Sequence, residues 1–448
     1  MIRRAITIRL ERLTANDRSI IQQSLISFIT RVGGLALALA ASVLLSRLLG
    51  LGGFGAYMIA IGYASIASIL VRLGFDVAGM RFAAVYRDQM QTGLLRGYVA
   101  TGLTAILLLW LMLVAGLFLL WQAGWPAIRE LPPLLVVGAS LMTLLLAMAG
   151  LLSLLLRVFE RVFESQLYEQ LLRPLLLFLF LGTAMLVGLP LVPAEAMLLT
   201  VVALGLPLIA MLARVRRLIR KLPPQNRDIS ERATWFRVGF VLLLMAFLQE
   251  LLNQIDLILL GTLGSNEEAG LLAAAQRLSS LATFGLVAIA AVGGPRIAAA
   301  FHRGELGEVA AIARLSARLS LGSALAIGGG LALVGPYVLA LWGPEFTAAM
   351  PLLLILLIGA LINAATGLAG LLVILTGHER VAMVTMAVTL VAVTTVELVL
   401  IPAYGAIGAA IGSALGFAIW NLSLATYVRI RLGIDSSALG CPAVPKRA

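Results

Sequence analysis

The sequence predicts an all-α polytopic membrane protein, with twelve transmembrane helices in two six-helix lobes and both termini cytoplasmic. Three observations carry this. First, 61% of the 448 residues are hydrophobic and only 12% charged, with a mean hydropathy of +1.05; a soluble domain carries about 25% charged residues. Second, apolar stretches close to the ~20 residues that cross hydrocarbon recur twelve times. Third, arginines concentrate in every second connection, the bias of cytoplasmic loops.

The net charge of +12 has the same origin: apart from Lys221 and Lys446 the basic residues are arginines between apolar segments. It reports topology, and no nucleic-acid partner is expected. Cys441 is the only cysteine, which excludes an internal disulfide. His302 and His378 are the only histidines, so no metal site and no cofactor is expected.

In chain order, residues 1–19 are basic but lack an apolar h-region and a small-residue cleavage site, and read as a retained cytoplasmic arm. The first span, 20–46, carries Arg31 with no acid on the same helix. A tight outer turn, RLLGLGGFGAY, follows. Its GLGGFG matches the dinucleotide spacing, but no strand precedes it, so it is a turn and not a nucleotide site. The second span, 55–75, ends beside Arg72 and Asp76, paired at i,i+4. Spans 94–121 and 132–156 are joined by QAGWPAIRELPP, the longest outer loop. It holds only Arg129 and Glu130, too little for the positioned charges of a polysaccharide polymerase or ligase, and no enzyme is expected.

Spans 167–189 and 194–214 contain Pro174 and Pro207, each of which predicts a kink. Arg173 reads as an anchor near the cytoplasmic mouth. Residues 215–235, dense in arginine, form a cytoplasmic linker beside anionic lipid. The linker divides an N-terminal lobe, 20–214, from a C-terminal lobe, 236–431. The second lobe holds spans 236–260, 268–292, 317–341, 349–375, 381–401 and 405–428. Gly408, Gly412 and Gly416 set close packing on the last of them. Residues 432–448 form a cytoplasmic tail. A six-plus-six parallel repeat places substrate between the lobes.

The seventh span contains LQELLNQIDLILL, polar where hydrocarbon is expected. At about 100° per residue, Gln249, Asn253 and Asp256 share a face within roughly 60°, and Glu250 and Gln254 widen the arc. An ionisable side chain at such depth needs a partner or a wet cavity. One reading pairs Asp256 or Glu250 with Arg277 to brace a hairpin. The other turns the Gln249–Asn253–Asp256 face to an inter-lobe cavity that takes substrate or a coupling ion.

RLLGLGGFGAY, NQIDLILLGTLGSNEEAGLLAAAQRLSSL, LWGPEFTAAMPLLLIL and LIPAYGAIGAAIGSALG lie in this order across nearly the whole chain. Together they resemble the landmarks of polysaccharide flippases of the O-antigen (Wzx) type, in the multidrug/oligosaccharidyl-lipid/polysaccharide exporter superfamily. The resemblance implies a bacterial inner-membrane protein that moves a polyprenyl-pyrophosphate-linked oligosaccharide from the cytoplasmic to the outer leaflet. H⁺ or Na⁺ would drive it, and glycan-assembly proteins are its expected partners. Arg31 and Arg277 then become substrate residues, because a guanidinium fork bonds a pyrophosphate bidentately and keeps its charge. Gln249 and Asn253 join them, and Asp256 and Glu250 sense the coupling cation. Glu397 departs from the family, standing where such proteins often have Asn. Two other readings stay open in the same superfamily. A multidrug or cation antiporter usually has an acid and a proline in helix 1, both missing here. A lipid II flippase usually has fourteen spans.

Overall fold

One glycine folds the longest helix back on itself. The computed structural model describes residues 15–125, 129 and 131–440, with side chains from Ile29 onward. The start of the expected N-terminal arm, Glu130, and residues 441–448 of the tail with Cys441 lie outside the described residues. Helix α1 (Ala15–Arg72) is helical throughout except at Gly50, where φ is 69° and ψ 178°. Positive φ costs other residues roughly 1–2 kcal/mol, so glycine is required there. The neighbours of α1 show two antiparallel arms. Gly33 and Leu44 meet Leu171 and Gly182 on one helix, whereas Ala64 and Arg72 meet Thr143 and Gly150 on the preceding, oppositely directed one. The loop expected between 46 and 55 is thus a single residue, because three more glycines let the arms and their neighbours close up around it.

α2 (Phe75–Asp88) continues past the expected end of the second span after a left-handed turn at Leu73 and Gly74. α3 (Thr92–Gln122) and α4 (Pro133–Val158) follow. The fifth crossing is composite: α5 (Val162–Gln166), a π-helical turn over Leu167–Leu172, and α6 (Arg173–Val187). α7 (Pro193–Arg220) completes the first half and keeps Pro207 inside the helix. The second half comprises α8 (Arg232–Leu263), α9 (Asn266–His302), α10 (Leu306–Leu339), a 3₁₀ turn (Pro344–Ala349), α11 (Met350–Thr366), α12 (Ala369–Leu375), α13 (Glu379–Tyr404) and α14 (Ala406–Arg431). The tenth span, expected unbroken over 349–375, breaks at Gly367, whose φ is 64°.

Among the described residues there are eleven stretches long and apolar enough to cross a membrane. The first, Ile29–Asp88, contains both arms of α1, which makes twelve crossings; no strand occurs. The protein is an all-α, multi-pass membrane protein. The first half packs around α4, whose Leu151, Leu152, Leu154, Leu155 and Leu156 are buried. In the second half the alanines Ala269 and Ala273–Ala275 of α9 let neighbouring helices approach closely. The tail tucks in too: Ala438 N donates to Ala365 O at 2.8 Å, and Arg318 Nε to Ala438 O at 3.1 Å.

The two halves meet at opposite ends of the bundle. At the hairpin face, Gly55 packs onto the Asn266 carbonyl with no room for a Cβ, and Phe54 meets Phe346 edge-on at 5.8 Å. There Trp342 Nε1 donates to Ser42 Oγ at 2.8 Å, and Ser46 Oγ to the Trp342 carbonyl at 2.9 Å. At the opposite, linker face, Tyr86 of α2 hydrogen-bonds Glu231 and accepts from Trp235 Nε1 at 2.8 Å.

Candidate functional site

The polar arc of the seventh span divides in two. Gln249, Asn253 and Asp256 line a cavity of about 290 Å³ together with Gln276, Ser413 and Trp420. Every wall of this cavity comes from the second half. The expected inter-lobe position is therefore corrected: α13 and α14 close over this face of α8 before the first half can reach it. Asp256 is buried and accepts from Gln276 Nε2 at 2.9 Å and from Ser413 Oγ. Glu250 lies on the other side of the helix and accepts from Gln254 Nε2 at 3.0 Å, and Gln254 packs against Gly62 of the second α1 arm. Neither acid pairs with Arg277, so the bracing pair does not form.

Beside Asp256 is a residue that the seventh span alone could not announce. Glu397 on α13 is fully buried, neither of its carboxylate oxygens has a hydrogen-bond partner, and Asp256 is within its electrostatic reach. Gly412 of α14 packs directly onto its side chain. A carboxylate held this way stays charged only beside a counter-ion and otherwise takes up a proton. Among the described residues no group of three metal-ligating side chains occurs. Asp256 and Glu397 are thus two buried acids within electrostatic reach of each other, the first held by Gln276 and Ser413 as neutral donors and the second by none.

The second polar locus lies between the halves. Arg277 of α9 is half-buried; its Nη2 approaches Met58 Sδ at 3.6 Å and its Nε is buried without a partner. Tyr57, one residue before Met58, donates to or accepts from Thr200 Oγ1 of α7 at 2.8 Å and lies within electrostatic reach of both Arg277 and Arg173. The two guanidinium groups also act on each other. Arg173 is not the mouth anchor expected from sequence. The π-helical turn before it sets back its helical phase, and Arg173 lies half-buried within electrostatic reach of Tyr57 and Glu169.

Pro174 explains that turn. It has no N–H for the carbonyl of Gln170, and its ring disfavours a regular α-helical turn before it. Gly34 of α1 packs onto that Gln170 carbonyl, with no room for a Cβ. Glu169, held by Ser153 Oγ at 2.8 Å, completes the local polar layer.

Arg31 is exposed and has no partner among the described residues. It sits nineteen residues from Gly50, whereas Arg277 sits eleven from Asn266 at the same face. At 1.5 Å per residue that is ~28 Å against ~16 Å. Arg31 and Arg277 are therefore at different depths, and the structure brings Arg173, not Arg31, to Arg277.

The family description "Polysaccharide biosynthesis protein" matches residues 20–301. No curated protein matches the chain. Among solved structures, the fold is similar to an inward-facing multidrug resistance MATE family transporter of the MOP superfamily. That match has 15% identity and a TM-score of 0.70, covering 92% of this chain and 98% of the other. The lipid II flippase MurJ in an inward closed conformation is similar at 12% identity and a TM-score of 0.71, covering 91% and 87%. A MOP superfamily transporter from Pyrococcus furiosus, described as having a binding pocket of reverse polarity, is similar at 16% identity. Its TM-score is 0.59, covering 92% and 95%. Each of these three structures is described as a transporter or a flippase.

Proposed function

Because the chain belongs to the polysaccharide biosynthesis protein family, we propose that it is a flippase for a polyprenyl-pyrophosphate-linked oligosaccharide in the bacterial inner membrane. The lobes 20–214 and 236–431 would rock about the space between them, with both termini and the linker cytoplasmic and the hairpin face outside. The polyprenyl tail stays in lipid while the head crosses. The observation that carries this reading is the arginine pair: one guanidinium from each half, near mid-depth, and for Arg277 no carboxylate partner. Two like charges so placed repel, and a pyrophosphate that accepts from both relieves that repulsion. A cargo of organic cations would meet the same two charges as a barrier.

Coupling belongs to the second locus. A H⁺ or Na⁺ taken up between Asp256 and Glu397 would change the charge on the α8–α13–α14 side. Gln249 and Asn253 lie at the mouth of that cavity, and Glu250 faces the first half across Gln254. The seventh helix would thus connect cation uptake to the inter-lobe space, and Arg31 would meet the cargo earlier, nearer the linker face.

The test is export of the lipid-linked glycan in cells carrying Arg277→Ala or Arg173→Ala, with membrane levels of the protein measured. Each loss should cost about 1.5–3 kcal/mol of substrate binding, a charged hydrogen bond left unmade. Arg277→Lys should rescue poorly, since a point charge does not reproduce the fork. Normal export by both alanine variants would sink the reading.

A further inference from the structure

At the linker face the first half holds a second groove, of about 680 Å³, with a different chemistry. Its rim carries Arg96 of α3, Arg216 of α7 and Arg227 of the linker; its floor is Leu103 and Leu212, over the buried Leu152. From Arg96 to Leu103 and from Arg216 to Leu212 the walls descend seven and four residues, or ~6–10 Å at 1.5 Å per residue. Cationic rim and apolar floor are therefore stacked along the membrane normal, as in the first part of a lipid molecule. No acid lines the groove. The nearest in sequence, Asp228, uses its carboxylate to accept from Ser230 N at 2.8 Å.

The rim is built rather than loose. Thr92 Oγ1 donates to the Pro223 carbonyl at 2.9 Å, Gly93 N to Gln225 Oε1 at 2.8 Å, and Asp228 N to Gly93 O at 3.1 Å. Gly97, one turn beyond Gly93, packs onto the Asp228 carbonyl where a Cβ would not fit. Arg96 adds a bond to the Gln225 carbonyl at 3.0 Å, which fixes the linker across the groove mouth. A linker that served only to mark topology would need none of these contacts. Arg216 and Arg227, by contrast, are exposed and make no ion pair among the described residues.

We propose that this groove binds one anionic phospholipid of the linker-side leaflet, its phosphate at Arg216 and Arg227 and its first acyl segment on Leu103 and Leu212. The charge complementarity commits the site to an anionic headgroup, and the apolar floor commits it to a lipid. The inference does not rest on the flippase reading, since neither arginine of the inter-lobe pair takes part.

Native mass spectrometry of the full-length protein, released from phosphatidylcholine nanodiscs with and without phosphatidylglycerol, tests it. The expected result is selective retention of one phosphatidylglycerol, reduced roughly thirtyfold in R216A/R227A. Leu103→Trp keeps all three charges and fills the floor, and it should also lose the lipid. Folding of both variants is checked by their thermal transitions in detergent. Equal retention of phosphatidylcholine, undiminished retention by folded R216A/R227A, or displacement of the lipid by inorganic phosphate would overturn the proposal.

Discussion

Glu397 is the residue whose position is hardest to reconcile with stability alone. It is fully buried, lacks a hydrogen-bond partner at either oxygen, and lies within electrostatic reach of another acid, Asp256. An unsatisfied buried polar group costs about 1–3 kcal/mol, so Glu397→Met should raise the thermal transition in detergent while abolishing gradient-dependent flipping. A variant that is more stable and still fully gradient-dependent would place coupling elsewhere. Asp256→Asn should weaken coupling without that gain in stability, because Gln276 and Ser413 already satisfy its carboxylate. Arg47 shows the opposite kind of placement. It lies at the hairpin face, away from the arginine-rich connections. Its Nε and Nη2 donate to the Leu341 and Ala340 carbonyls at 2.8 Å, at the C-terminal end of α10 where a cation is favoured.

At the scale of elements, the π-helical turn before Pro174 determines which way Arg173 points. Pro174→Ala restores an N–H that can reach the Gln170 carbonyl and favours a regular α-helix through the turn. The side chain of Arg173 would then rotate away from Tyr57. Export should fall about tenfold, the size of one lost charged hydrogen bond, with the thermal transition unchanged or higher. Equal export by Pro174→Ala would show that the turn is only a packing feature. Sequence announced the proline and its kink, but a change of helical phase needs the partner that occupies the freed carbonyl, and Gly34 lies far off in the chain. The same limit applied to the seventh helix: its polar face was legible from the 3.6 period, whereas the helices covering that face were not.

For the whole molecule, closure at the hairpin face is the measurable state. The indole of Trp342, the hydroxyls of Ser42 and Ser46 and the guanidinium of Arg47 join the first arm of α1 to the end of α10. Trp342→Ala removes an indole hydrogen bond worth about 1 kcal/mol and a buried aromatic surface worth more. The population should move at least tenfold toward opening at the hairpin face. Reaction of an external thiol reagent with a cysteine replacing Thr200, in a Cys441→Ser background, would report it; no increase in labelling would remove Trp342 from the closure. Orientation has its own test. With Cys441→Ser and Gln225→Cys, labelling is expected only from the cytoplasmic side, as the arginine bias predicts for an N-in, C-in chain. External labelling at Gln225 would invert the proposed direction of closure.

Sequence by itself determined the class of molecule. Hydropathy, span length and the alternation of arginines are local quantities, and they led to an all-α membrane protein with twelve crossings, divided near the linker. Local pattern also reached the glycine turn at residue 50, the i,i+4 pair of Arg72 and Asp76, now seen at 2.7 Å, and the polar stripe of the seventh helix. Tertiary structure alone decided which charges meet. Arg173, not Arg31, came within electrostatic reach of Arg277, and Glu397 within reach of Asp256, because both placements depend on helix phase and on packing between residues more than a hundred positions apart. A period of 3.6 fixes which residues share a face, but what that face meets is set by packing.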